Sequence, residues 1–73
     1  MDANVLKGQW RQIKGSVQDY WGELTDDEVD QINGEWNKLV GKLQEKYGYT
    51  KDEAEAEIED FMVEMEERFG ERS

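Results

Sequence analysis

Seventy-three residues carrying a net charge of −10, nineteen acidic side chains against nine basic ones, make one small domain at most. That balance repels phosphate backbones and anionic headgroups, which argues against nucleic-acid binding. The chain has no cysteine and no histidine, which excludes disulfides, thiol chemistry, the commonest metal ligand and the commonest general base.

The amino terminus, MDANVLKGQW, lacks a basic leader followed by a long apolar run, so no signal peptide is expected. No apolar stretch approaches the ~20 residues that span a bilayer. A soluble, cytoplasmic chain without membrane insertion is the expectation. Leu6, Trp10, Ile13, Val17 and Trp21 then fall at i, i+4, i+7, i+11 and i+15, which places them on one helical face. Gly22 is expected to stop that helix as a C′ glycine. Leu24 precedes Thr25-Asp26-Asp27-Glu28, a capping box in which hydroxyl and carboxylate each satisfy the other residue's backbone N–H.

The next stripe runs Val29, Ile32, Trp36, Leu39, Val40, Leu43 and Tyr47, ended by Gly48. Asn33-Gly34 interrupts it with a pair that favours left-handed backbone and turns. Residues 26–47 are therefore either one kinked helix or two shorter ones. A second box, Thr50-Lys51-Asp52-Glu53, opens an acidic helix over 51–69. Its apolar positions are Ala54, Ile58, Phe61, Met62, Met65 and Phe69, and Gly70 closes it. Strand alternation is absent, and no proline breaks these segments. The expected fold is all-α, a small bundle of three to four helices. A break at Asn33-Gly34 would make it two crossed α-hairpins in a single domain over 1–73.

These stripes predict a core of Trp10, Ile13, Val17, Trp21, Ile32, Trp36, Leu39, Leu43, Tyr47, Ile58, Phe61 and Met65. The predicted caps are Thr25, Glu28, Thr50 and Glu53. The tryptophans could serve as stacking platforms, but helical spacing among aliphatic neighbours makes them core residues first.

The chain repeats itself. GQWRQIKGSVQDYWG, residues 8–22, is answered by GEWNKLVGKLQEKYG, residues 34–48, with glycine at the first, eighth and fifteenth places and tryptophan at the third. Two related helix-turn units within 6–50, followed by an acidic helix, are implied. Seven steps of 100° return to within about 20° of the start, so each set of glycines forms a line, pointing away from the apolar stripe. Gly15 and Gly41 are interior, and each costs about 1 kcal/mol relative to alanine. Two explanations compete. Low bulk lets a neighbouring backbone approach or the helix curve, or Gly15 and Gly41 mark a strip that docks a partner helix or a second copy.

Catalysis finds little to work with. The hydroxyl nucleophiles are Ser16, Thr25, Thr50 and Ser73, two of them committed as caps, and none has an evident base beside it. An enzyme is not expected, nor a cofactor. The stretch TDDEVDQINGE invites comparison with a calcium loop, yet counting back from Gly34 puts Val29 and Gln31 where oxygen ligands belong. Asp60, Glu64, Glu66 and Glu67 could hold a divalent ion weakly, although an exposed acidic surface explains them more simply. Residues 51–73 carry −7 and residues 1–50 carry −3. Lys7, Arg11 and Lys14 line one edge of the first helix, and Lys38, Lys42 and Lys46 line one edge of the middle segment. These two basic ridges are expected to flank the acidic helix. The alternative is pairing within their own helices, such as Glu35 with Lys38.

Three stretches carry a family resemblance: Trp10-x-x-x-Lys14-Gly15, Trp21-Gly22-Glu23-Leu24-Thr25-Asp26-Asp27, and Leu39-Val40-Gly41-Lys42-Leu43-Gln44-Glu45-Lys46-Tyr47-Gly48-Tyr49. Together they resemble the CsbD-like proteins, small bacterial proteins of the general stress response, over roughly residues 4–60. The resemblance implies a helical domain of two crossed α-hairpins, cytoplasmic and raised under stress. It brings no catalytic or ligand residues to transfer. The resulting expectation is a non-catalytic stress-response domain acting through its surface on an unknown protein partner or on itself, the oligomeric state left open with a monomer slightly favoured. The alternatives are a hydrophilic acidic protectant with little fixed structure and a weak divalent-cation binder.

Overall fold

The described residues of the computed structural model form four α-helices: α1 (Ala3–Tyr20), α2 (Asp26–Ile32), α3 (Trp36–Tyr47) and α4 (Lys51–Gly70). The structure describes residues 3–70, without the side chains of residues 69 and 70. The expected core position Phe69 and the candidate hydroxyl Ser73 therefore lie outside the described residues. No strand occurs among the described residues.

Each boundary has a local cause. Thr25 caps α2 in extended backbone, its hydroxyl accepting from Glu28 N–H at 3.2 Å while Thr25 N–H donates to Glu28 Oε1 at 3.0 Å. The second box repeats this at α4, with Glu53 N–H to the Thr50 hydroxyl at 3.1 Å and Thr50 N–H to Glu53 Oε1 at 2.8 Å. Satisfying the orphan N–H groups of a first turn this way contributes about 1 kcal/mol per cap. Asn33 and Gly34 both take left-handed backbone (φ 49° and 78°), so the middle segment breaks into two helices rather than kinking. Gly48 ends α3 at φ 72°, its N–H donating to the Gln44 carbonyl.

Gly22 departs from expectation. It does not adopt left-handed backbone, and α1 ends before it. The end is instead a tight turn, with Trp21 N–H still bonded to the Val17 carbonyl and Leu24 N–H to the Trp21 carbonyl. Two apolar anchors, Trp21 and Leu24, hold this turn in the core, and no αL cap is required.

The four stripes meet in one core. Leu6, Ile13, Val17, Leu39, Leu43, Ala54, Ile58, Phe61 and Met62 are fully buried, with Trp10, Trp21, Leu24, Val29, Ile32, Val40 and Met65 nearly so. Each large apolar side chain so buried contributes about 1.5–3 kcal/mol. Phe61 and the Trp21 ring lie 5.0 Å apart, and Tyr20 packs edge-on against both. Each helix packs on the next, α1 on α2, α2 on α3 and α3 on α4, and α1 also contacts both α3 and α4. Trp36 and Tyr47 are corrections to the expected core: both are only partly buried, at its rim. Each sits at one end of α3 and keeps a polar tip in use. Trp36 Nε1 donates to Glu55 at 3.5 Å, and the Tyr47 hydroxyl accepts from Glu23 N–H at 3.1 Å.

Candidate functional site

The α2–α3 hairpin gathers the best-organised charges in the protein. Glu28 leaves the first turn of α2 with one oxygen engaged by Thr25 N–H. Its other oxygen, Oε2, faces Lys46 Nζ at 2.9 Å and Lys42 Nζ at 3.7 Å. Lys42 also reaches Glu45 at 3.5 Å. One carboxylate thus ties the start of α2 to two successive turns of α3. The hydrogen bond from Lys46, reinforced by Thr25 N–H, holds the Glu28 carboxyl down at about 2, and the same bond raises Lys46.

Beside this latch an open groove of about 550 Å³ separates α2 from α3, lined by Gln31, Ile32, Lys38, Gly41, Lys42 and Glu45. Its character is apolar floor and charged rim. Gly41 contributes by omission, since a Cβ there would meet nothing within 4 Å. Gly15 is equally open on α1. The two glycines of the expected strip therefore stand on separate helices, both exposed. The close-approach explanation is not met at Gly15 and Gly41, because among the described residues nothing lies within 4 Å of an added Cβ at either. It holds instead at Gly34, where a Cβ would stand 2.8 Å from Lys7 Cα and 3.0 Å from Trp10 Cβ.

The basic ridges are a second correction. Among the described residues no ion pair joins either ridge to α4. Lys14 pairs with Asp30 at 3.7 Å, Lys38 with Glu35 at 3.3 Å, and Lys42 and Lys46 converge on Glu28. The bases turn toward α2 or along their own helix, where carboxylates lie at helical spacing or across the nearest groove. Among the described residues no ion pair reaches the acidic outer face of α4. Its field is felt at Tyr20, whose phenol is pushed up by burial and further by Glu57, Glu64 and Asp60. Among the described residues no three acidic groups gather where they could hold a metal ion, Asp60, Glu64, Glu66 and Glu67 included.

Glu28 was legible as a cap but not as the latch. The signal available was the i, i+4 pair Lys42 and Lys46, which presents two ammonium groups to one neighbour. Thr25 and Thr50 are occupied as caps. Ser16 borders a smaller groove between α1 and α4 with Asp19, Tyr20 and Arg68.

This arrangement of four helices can be set beside known proteins. The CsbD-like family model matches residues 4–56. The chain belongs to the CsbD-like family. Its CsbD-like relatives include the UPF0337 protein RB0906 of Rhizobium meliloti, 59% identical over 84% of this chain and 88% of the relative. The UPF0337 protein Atu4724 of Agrobacterium fabrum is 54% identical over 84% and 91%. The UPF0337 protein PA4738 of Pseudomonas aeruginosa is 48% identical over 84% and 94%. No solved structure matches. The molecular function of the family is uncharacterised. No helix among the described residues is long and apolar enough to cross a membrane.

Proposed function

We propose that this CsbD-like protein is a non-catalytic domain of the bacterial stress response that acts through its surface on another macromolecule or on a second copy. The observation that carries this reading is the pair of exposed mid-helix glycines, Gly15 and Gly41, each with open space where a side chain would stand. A chain under selection for stability alone gains about 1 kcal/mol by placing alanine at each. Keeping bare backbone there is understandable if something comes to rest against it. The continuous core, sixteen buried apolar residues among those described, supports a folded actor over a loosely structured protectant. The absence of convergent carboxylates among the described residues weighs against a cation buffer.

The test is a chromosomal replacement carrying Gly15→Gln and Gly41→Gln. Both positions are open, so the variant should fold and melt at or above the temperature of the unmodified protein. Survival under osmotic or starvation stress should nonetheless fall to that of a deletion strain. Full survival with the filled surface would refute the reading.

A further inference from the structure

Two surface features have no explanation within one chain. On α1, Gly8 and Gly15 are exposed in mid-helix with nothing within 4 Å of an added Cβ. On α4, Val63 is 50% exposed, an aliphatic side chain set among carboxylates. Their geometry is related. Gly8 and Gly15 are seven residues apart and so are Ala56 and Val63, a spacing that returns to nearly the same helical line. One face offers two gaps at that pitch, and the other offers two small apolar knobs.

The flanking charges match as well. Lys7 and Arg11 stand beside the glycine line, exposed and without an ion pair among the described residues. Around Val63, Glu59 and Glu66 lie on one side and Asp60 and Glu67 on the other, also exposed and unpaired. The two faces cannot meet in one molecule, because α1 and α4 turn their opposite stripes into the same core.

We propose that the outer face of α4 docks on the outer face of α1 of a second copy, with Ala56 and Val63 seated over the two glycines and Lys7 and Arg11 reaching the surrounding carboxylates. Helices approach closely where one of them lacks side chains, and this allows dispersion contact along the seam. The contact joins two different patches. It closes into a dimer when each copy returns its own α4 to the other's α1, and otherwise propagates. Charge of −10 on each copy opposes association over long range, but a Debye length of about 8 Å at physiological salt screens that repulsion more than the contacts in the seam. The self-contact deepens the surface reading above by naming the partner, and it rests on that reading.

Concentration-dependent amide shifts and sedimentation equilibrium at physiological salt, from micromolar to millimolar protein, test it. Shifts should map to the outer faces of α1 and α4, and Gly15→Gln should weaken association by roughly 10-fold or more, equivalent to about 1.4 kcal/mol. Lys7→Glu with Arg11→Glu should abolish self-association, as should Glu59→Lys with Glu66→Lys, while an equimolar mixture of these two charge-swapped chains associates again. All four positions are exposed, so helical circular dichroism should be unchanged in each. A monomer at millimolar concentration, shifts mapped elsewhere, or no rescue in the mixture would overturn the self-contact. Lost stress survival in the glycine variants alongside a strictly monomeric chain would leave the surface reading standing and remove only this partner.

Discussion

The two fifteen-residue copies share their spacing and end in different structures. In the first copy, Gly8 and Gly15 lie inside one long helix and Trp10 is buried at 5% exposure. In the second, Gly34 stands outside any helix at φ 78°, and Trp36 opens α3 half-covered at the rim. What precedes each copy makes the difference. Residues Ala3–Lys7 continue the helical stripe with Leu6 and carry α1 through Gly8. Asn33, in left-handed backbone, ends α2 and turns the chain over α1 at Lys7 and Trp10. Equivalent places in a repeat thus acquire opposite requirements. Gly8 tolerates a side chain, and Gly34 has no room for one.

The strongest way to break this comparison is at the tryptophans. Trp10→Ala should cost about 3–5 kcal/mol, the loss expected for a buried aromatic. Trp36→Ala should cost less than half as much, because part of its ring already faces water. Urea denaturation of both variants measures the difference, and equal losses would show that the two copies bear the same structural weight.

The glycines sharpen it. Gly34→Ala forces a Cβ to within 2.8 Å of backbone and strains a positive φ. Overpacking and left-handed strain together predict a loss of about 2–4 kcal/mol. Gly8→Ala should have the opposite sign, a gain of up to about 1 kcal/mol and so roughly 4–8 °C in melting temperature. Two identical substitutions at matched places of a repeat would then move stability in opposite directions. A loss at Gly8 would mean that something within the chain uses the space.

Much of this fold was legible in the sequence, because helical faces and capping boxes are local. Thr25 with Glu28 and Thr50 with Glu53 needed only the spacing of two residues. The turn at Asn33-Gly34 needed only backbone preference. What was illegible depends on the neighbour across a gap. Periodicity placed Trp36 and Tyr47 on the apolar stripe of α3, but not at its rim, where Glu55 and Glu23 N–H engage their polar tips. It set Lys42 and Lys46 on one edge without saying that α2, rather than α4, lies there. It gave Gly22 the place of a cap, although the burial of Trp21 and Leu24 shapes that turn. Of the candidate site, the exposed glycines were legible and the latch was not.

The smallest expected effect compares the capping boxes that follow the two copies. Both boxes make the same pair of backbone bonds, but only the glutamate of the first is also bonded to lysines. Glu28→Gln keeps an oxygen to accept from Thr25 N–H while losing the ionic contacts to Lys46 and Lys42. Glu53→Gln makes the parallel change where no lysine pairs, so it serves as the reference. The sign for Glu28 follows from its lowered carboxyl. Its contribution is fully present above the ordinary value of 4.5 and is lost as pH falls toward about 2. Lys46 is raised, so its share is present below its ordinary 10.5 and is lost as pH rises through the higher folded value. Thermal melts should therefore show Glu28→Gln below Glu53→Gln across neutral pH, with the gap closing in strong acid and again in strong alkali. A gap that persists unchanged down to pH 2 would mean that the latch adds nothing beyond the cap.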